Sequence, residues 1–215
     1  LIVDIKHIDG SIGIREEGGN WVIGAATPGA VIGEHAGLCA DLPGVTEAVQ
    51  LIGSTQVQGR ASFAGNLCNA SPAGDSVPGL VAAGAQAVIA GKNGKRTVPV
   101  EEVPVSPGRT SLSDDEFVYE FIIPKRVGKS SDAYLRFIPR TEMDIAVVGA
   151  GVAVTLDDSG VCTAARVSLG AVAPTVLLLD DAAAAIIGSK LDDAALAKLD
   201  AAAQAACNPI NDKRG

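Results

Sequence analysis

The sequence predicts an α+β protein of two successive units, and three observations carry that reading. Short apolar runs bounded by glycine-rich turns recur through residues 1–124. Between residues 42 and 53 the apolar positions switch to three- and four-residue spacing. In the last third, strand-like runs give way to alanine-rich helical segments, the order expected when helices cover one face of a sheet. The 215 residues suffice for one large domain or two small ones.

Residues 1–5 are a short apolar run suited to a strand. Residues 12–15 and 21–25 flank Glu16-Glu17-Gly18-Gly19-Asn20, a hairpin signal. Leu42, Val45, Val49 and Ile52 define a helix over 42–53, with Pro43 near its start, where a missing N–H costs nothing. Residues 53–79 form an irregular stretch rich in Gly, Ser, Asn and Pro, the kind of long connection that carries function in a compact domain. A helix then begins at Asp75 or Ser76, with Pro78 in its first turn, and ends near Gly84. Residues 87–92 and 95–100 flank Asn93-Gly94, the strongest short hairpin signal, and 117–123 reads as a strand stopped by Pro124. After a polar link at 128–132 come strands over 134–138, 146–156 and 162–169. The helices at 180–187 and 191–206 follow, the second capped by Asp192 or Asp193. The division therefore falls near residue 128, giving units 1–127 and 128–215.

Composition narrows the function. Apolar residues make up 47% and aromatics only 3%, so the core is built from Ala, Val, Ile and Leu. The net charge of −8, with no offsetting Lys/Arg cluster, argues against nucleic acid or an anionic membrane as partner. The four cysteines contain no Cys-x-x-Cys pair, which argues against a zinc site or an iron–sulfur cluster held by this chain alone. That usage fits a reducing compartment, the cytoplasm. His7 and His35 are the only histidines and lie far apart, so a histidine metal site or a Ser-His-Asp triad has little to work with. The longest apolar stretch, 145–156, is too short to cross a bilayer and is broken by Gly149 and Gly151. The first residue is Leu1 and the sole methionine is Met143, so the chain reads as a fragment or a processed product.

Two glycine-bearing segments invite a cofactor reading. Val148-Gly149-Ala150-Gly151-Val152 lacks the third glycine of a dinucleotide fingerprint and continues as strand rather than helix. Its glycines are better read as letting another backbone approach a buried strand. Residues 60–78 differ: Ser62-Phe63-Ala64-Gly65-Asn66 and Ala70-Ser71-Pro72-Ala73-Gly74-Asp75 offer small residues whose amides can ring an anion. Ser62, Asn66, Asn69 and Ser71 add donors, and a helix N-terminus lies just beyond. Asp75 stands where it could accept from ribose-type hydroxyls. On these grounds the segment is either a phosphate-bearing cofactor loop or an Asx- and Pro-rich connection with Asp75 as a helix cap.

This stretch resembles the second flavin-binding motif of the molybdenum hydroxylases, the xanthine dehydrogenase and carbon monoxide dehydrogenase flavoproteins. That motif is a Thr/Ser-x-Gly-Gly-Asn loop followed by Ala-Ser-Pro-x-x-Asp. Leu51-Ile52-Gly53-Ser54-Thr55-Gln56-Val57 resembles the helix end before that loop. Arg136-Phe137-x-x-Arg140 through Asp144-Ile145-Ala146, then residues 165–175, resemble the family's C-terminal domain. The similarity covers nearly the whole chain in the family's order. It implies a vanillyl-alcohol-oxidase (PCMH)-type FAD-binding domain, present in part, followed by a CO dehydrogenase flavoprotein C-terminal-like α+β domain.

The resemblance implies an FAD subunit that takes electrons from 2Fe-2S clusters and passes them to NAD, a quinone or another acceptor. Its partners would be a molybdopterin-binding large subunit and a 2Fe-2S small subunit. Carried over by position, Ser62, Gly65 and Asn66 contact the pyrophosphate region, Asn69 lies beside them, and Asp75 holds sugar hydroxyls. Ile52 and Gly53 line the flavin and adenosine region, and Val118 is an apolar contact. Arg136, at a position often lysine, stands near the flavin pyrimidine edge, where a cation favours the anionic reduced form; the alternative is a solvated strand arginine. No general base or nucleophile is expected, because the flavin carries the chemistry. Two departures bear on this: Ala64 replaces the first of two glycines, and the family's first flavin motif, upstream of residues 1–5, is absent, as is its last helix. A flavin-free assembly subunit and a self-contained flavoprotein oxidase are the alternatives.

Overall fold

The computed structural model describes residues 3–210. The chain begins with β1 (Ile14–Glu17), β2 (Asn20–Gly24), α1 (Gly29–Gly33), α2 (Ala36–Asp41), α3 (Pro43–Gln50), α4 (Thr55–Gln58), α5 (Phe63–Cys68) and α6 (Ser76–Ala82). It continues with β3 (Gln86–Gly91), β4 (Gly94–Pro99), β5 (Pro104–Ser106), β6 (Arg109–Thr110) and β7 (Phe117–Pro124). The last part comprises β8 (Lys129–Phe137), β9 (Val148–Leu156), β10 (Cys162–Gly170), β11 (Leu177–Leu178), α7 (Asp180–Ile186) and α8 (Asp193–Ala206). Strands order as β1-β2-β7-β3-β4 in one sheet and β11-β10-β9-β8 in another, with β5 and β6 as a separate ribbon.

Local chemistry explains most elements. Gly18 and Gly19, at φ +56° and +78°, make the two-residue turn between β1 and β2, a conformation suited to the twist of a hairpin. The hairpin of β3 and β4 forms as expected, but one residue earlier: Lys92 and Asn93 make the turn, and Gly94, at φ +110°, opens β4 opposite Gly91. The strand expected over residues 1–5 is not formed by its described part. Ile5–His7 is a 3-10 turn capped by the Asp4 carboxylate, and residues 1–2 lie outside the described residues. The stretch read as irregular holds α4 and α5, and α1 and α2 were not anticipated. The polar link at 128–132 is the opening of β8. Asp192, rather than Asp193, caps α8 by accepting from Ala195 N at 2.9 Å.

The second sheet has helices on both faces, and only one pair comes from its own unit. Val167, Leu169 and Val172 of the second unit meet Ala182 and Ala183 of α7 on one side. The other side receives α6, which is buried along its whole length. A Cβ on Gly151 would stand 2.4 Å from Pro78 O, and one on Gly170 would stand 2.7 Å from Pro78 Cγ. Gly151 therefore admits a helix backbone, as expected of the β9 glycines, whereas Gly149 makes room for the Tyr134 side chain instead. α3 docks similarly on β8, where a Cβ on Gly44 would meet the Ala133 backbone at 2.7 Å. Thus α3 and α6, on which the first core packs through Val45, Val49, Leu80 and Val81, also carry the second sheet.

Gly151→Val should destabilise the protein by about 1–3 kcal/mol through overpacking at this approach, read as a lower midpoint in urea. An unchanged midpoint would mean that α6 and β9 are not in such contact.

Candidate functional site

The segment carrying the flavin motif folds as the start of α5. Ser62 is extended (φ −138°, ψ 164°) and its Oγ accepts from Gly65 N at 3.1 Å, an N-cap that starts a helix otherwise too short to persist alone. Asn66 N bonds Ser62 O, whereas the amides of Phe63 and Ala64 have no acceptor among the described residues. These two donors lie at the positive end of the helix. Ala64 has no positive φ, so its methyl group introduces no backbone strain, and it is 7% exposed.

This helix start opens on a groove of about 590 Å³ lined by Lys6, Arg60, Ser62, Ala64, Gly65 and Val118. Arg60 forms no ion pair among the described residues, while Lys6 is held by Asp4 at 2.8 Å. Val118, 2% exposed on β7, is part of an apolar floor with Phe117 and Leu112. Burial pushes the Cys68 thiol at the rim up to about 11, so it is no nucleophile at neutral pH. The Ala64 amide, the unpaired Arg60 and the apolar floor suit a pyrophosphate with an attached ring, while Asp4, paired with Lys6, and Glu116, paired with Arg96, are the carboxylates of the lining. A second cavity, about 320 Å³ and mostly apolar, lies between Ser71, Pro72 and Ala73 on one side and Ile145, Ala146 and Ala171 on the other. Ala171 N donates to Pro72 O at 2.7 Å among the lining residues, with Ala171 in the left-handed region at φ +68°.

The sequence-predicted residues do not all meet. Ser62, Gly65 and Val118 share the groove. Asn66 is near it, but its Oδ1 accepts from Ser76 N at 3.0 Å and Ser76 Oγ at 2.7 Å, supplying the cap that Asp75 does not give α6. Asn69 ends α5 and is exposed. Ile52 and Gly53 follow α3 outside the groove, with Gly53 at φ +57° against Val57. Asp75 and Arg136 have found each other: Arg136 Nη1 lies 2.8 Å from Asp75 Oδ2, with side chains only 6% and 11% exposed. Tyr134 donates its hydroxyl to Asp75 Oδ1 at 3.1 Å. Burial raises the Asp75 carboxyl above its ordinary range against the pull of Arg136, and burial beside Asp75 raises the Tyr134 hydroxyl. Arg136 is thus neither solvated nor open to the groove.

Sequence reasoning missed Lys6, Arg60 and the whole inter-unit polar seam. Asp132 Oδ2 accepts from Val45 N at 3.2 Å, capping α3 from the other unit, since Leu42 has no side chain to do so. Arg126 Nη2 stands 3.3 Å from Asp132 Oδ1, an ion-pair contact outside hydrogen-bond geometry that leaves both atoms without a hydrogen bond. Glu47 accepts from Tyr134 N, and Arg166 donates to Val81 O. Asp132, Tyr134 and Arg136 alternate along β8, the one signal that could have placed them on a common face.

The Ser62-capped helix start and its groove lie within the first unit, while the apolar cavity is lined by residues of both units. Residues 1–126 match the family described as the FAD binding domain in molybdopterin dehydrogenase, and residues 133–215 match the CO dehydrogenase flavoprotein C-terminal domain. The chain belongs to this family of FAD-binding oxidoreductase subunits, and FAD is its cofactor. It is 33% identical over 215 residues to the carbon monoxide dehydrogenase medium chain of Hydrogenophaga pseudoflava, spanning 100% of this chain and 74% of that one. It is 30% identical over 176 residues to the xanthine dehydrogenase FAD-binding subunit of Escherichia coli O157:H7, spanning 81% of this chain and 60% of that one. The solved carbon monoxide dehydrogenase of Hydrogenophaga pseudoflava that lacks the Mo-pyranopterin moiety superposes with a TM-score of 0.93 at 33% identity, over 99% of this chain and 73% of that one.

Glu116, at the groove rim, is held down to about 2 by Arg96, whose guanidinium lies 2.8 Å away. A depressed carboxyl stabilises the fold above its ordinary range near 4.5 and loses that contribution as pH falls toward 2. Glu116→Gln should therefore flatten the fall in urea midpoint across that acid window while changing the curve's shape little near neutrality.

Proposed function

We propose that this chain holds FAD within a molybdenum-hydroxylase complex and hands on electrons gathered elsewhere in it. The carrying observation is the Ser62-capped start of α5, with Ala64, whose amide has no acceptor among the described residues, and the cations Arg60 and Lys6 around one groove. Helix-start amides aimed at an anion act together with the helix dipole. In this reading the groove takes the pyrophosphate through Ser62, Phe63, Ala64 and Gly65, with Val118 beneath the attached sugar and ring. The apolar cleft beside Ser71 and Ile145 takes the flat ring system. Asn66 shapes the groove from behind by holding α6, and Ile52, Gly53 and Asn69 contribute through the backbone around it.

FAD would supply the redox chemistry. The protein's own contributions are to bind the anionic end, exclude water from the ring and orient it. Electrons would arrive from 2Fe-2S clusters of a small partner subunit, having come from a molybdopterin-binding large subunit. They would leave to NAD, a quinone or another acceptor. Relatives titled medium chain and FAD-binding subunit support this division of labour. Cytoplasmic residence is part of the same reading and accords with four free cysteines. No helix among the described residues is long and apolar enough to cross a membrane.

Gly65→Asp tests the reading. A Cβ there meets only Ser62 Oγ, at 3.4 Å, so the fold should persist. A carboxylate facing the pyrophosphate should lower FAD affinity at least about tenfold, read from the flavin absorbance retained after purification. Unchanged flavin content would remove the groove from consideration as the pyrophosphate site.

A further inference from the structure

We infer that His35 is a pH-sensitive latch: its neutral imidazole holds the first turn of α2, and proton uptake releases that turn. The latch does not depend on the FAD reading. His35 stands just before α2 in extended backbone (φ −77°, ψ 103°), and its Nδ1 accepts from Leu38 N at 3.1 Å. A helix needs a side-chain acceptor at this place, because its first amides have no carbonyl behind them. Serine, threonine, aspartate or asparagine usually fills it, and none of these takes up a proton near neutrality. An imidazole can fill it only while Nδ1 carries no proton, since an imidazolium has two donors and no acceptor.

Burial makes this one hydrogen bond consequential. Residue Leu38 is 0% exposed, so when the ring becomes a donor its amide finds no water as a substitute. The imidazolium also brings positive charge to the positive end of the helix. α2 has six residues, of which only Leu38 is buried, so little else holds its first turn. The charged groups around the ring have other engagements. Trp21 of β2 meets the imidazole edge-on, with centroids 5.4 Å apart. Lys125 Nζ lies over that indole at 4.8 Å and pairs with Glu16 at 2.7 Å. Asp41, at the far end of α2, accepts from Trp21 Nε1 at 2.6 Å and from the amide of Arg126. The Arg126 guanidinium faces Asp132, and Glu47 of α3 accepts from Tyr134 N. Glu34, next to His35 in the chain, is exposed and forms no ion pair among the described residues. Through Asp41 and Arg126, α2 is tied to the junction of the two units, so the latch bears on more than its own turn.

Amide hydrogen exchange of residues 38–42 in the full chain tests the latch, with Trp21, the only tryptophan, reporting the charge of the ring by its fluorescence. From about pH 8 to about pH 5.5, the range in which imidazoles titrate, wild-type exchange corrected for the intrinsic rate should rise about fivefold, in step with the fluorescence. His35→Asn keeps an acceptor at the cap and cannot titrate, so its exchange should stay slow and flat. His35→Ala should exchange fast at every pH; if it does not fold, the wild type and His35→Asn decide between them. The exposed His7 and the carboxyls of Asp75 and Asp132, both raised by burial, remain in each variant. A difference from His35→Asn therefore belongs to the ring. Flat exchange in the wild type, or a rise that survives in His35→Asn, would overturn the inference.

Discussion

Two sheets share a pair of helices in this protein, and the contact is possible only because glycine stands where helix backbone meets strand. With no Cβ at Gly151 and Gly170, α6 comes down to atomic contact on β9 and β10, and Gly44 does the same for α3 on β8. That closeness brings the starts of both helices to the strand face, where their unpaired amides and neighbouring carboxylates need partners. β8 answers with Asp132 at α3 and with Tyr134 and Arg136 at Asp75. The polar seam is thus a consequence of close backbone packing.

How far the sequence disclosed this depended on the range over which each element is determined. Both hairpins were legible because Gly18-Gly19 and the neighbourhood of Asn93-Gly94 mark their turns within a few residues. α3 was legible from its apolar spacing, and β9 and β10 as two runs on either side of the Asp157-Asp158-Ser159-Gly160 turn. α5 was not, since Phe63-Ala64-Gly65-Asn66-Leu67-Cys68 includes poor helix formers and has only six residues. It stands because Ser62 caps it and Asn66 ties it to Ser76, a tertiary bond that no local pattern announces. The opening of β8 was misread for a related reason: Lys129-Ser130-Ser131-Asp132 looks like a solvated link, yet Asp132 faces inward to a helix start.

The site was legible in kind but not in detail. Family resemblance pointed to the right cofactor class, and of the residues it singled out the groove gathers Ser62, Gly65 and Val118. It could not say that Asp75 and Arg136 bind one another, because that depends on how strand β8 is presented to α6. Nor could it pick out Arg60 and Lys6, whose relevance lies only in facing the same groove. Residues placed by local turns and caps were readable, and residues placed by the docking of two units were not.

The seam's charges deserve a physical reason, since buried ion pairs are poor stabilisers. Replacing such a pair by apolar side chains of similar volume is often neutral or favourable to stability, while removing one partner alone is strongly unfavourable. An apolar seam between α6 and β8 would therefore hold the units together as well. It would not fix their register, because dispersion and burial change little when one surface slides along another. The Arg136–Asp75 pair, with Tyr134 on the second oxygen, is satisfied at one register only. For a cavity lined by residues of both units, that selectivity is what matters: a shift of one residue's rise along the strand would reshape the cavity. The buried charges are best understood as setting the register of the two units, with the glycine contacts and the apolar cores supplying the cohesion.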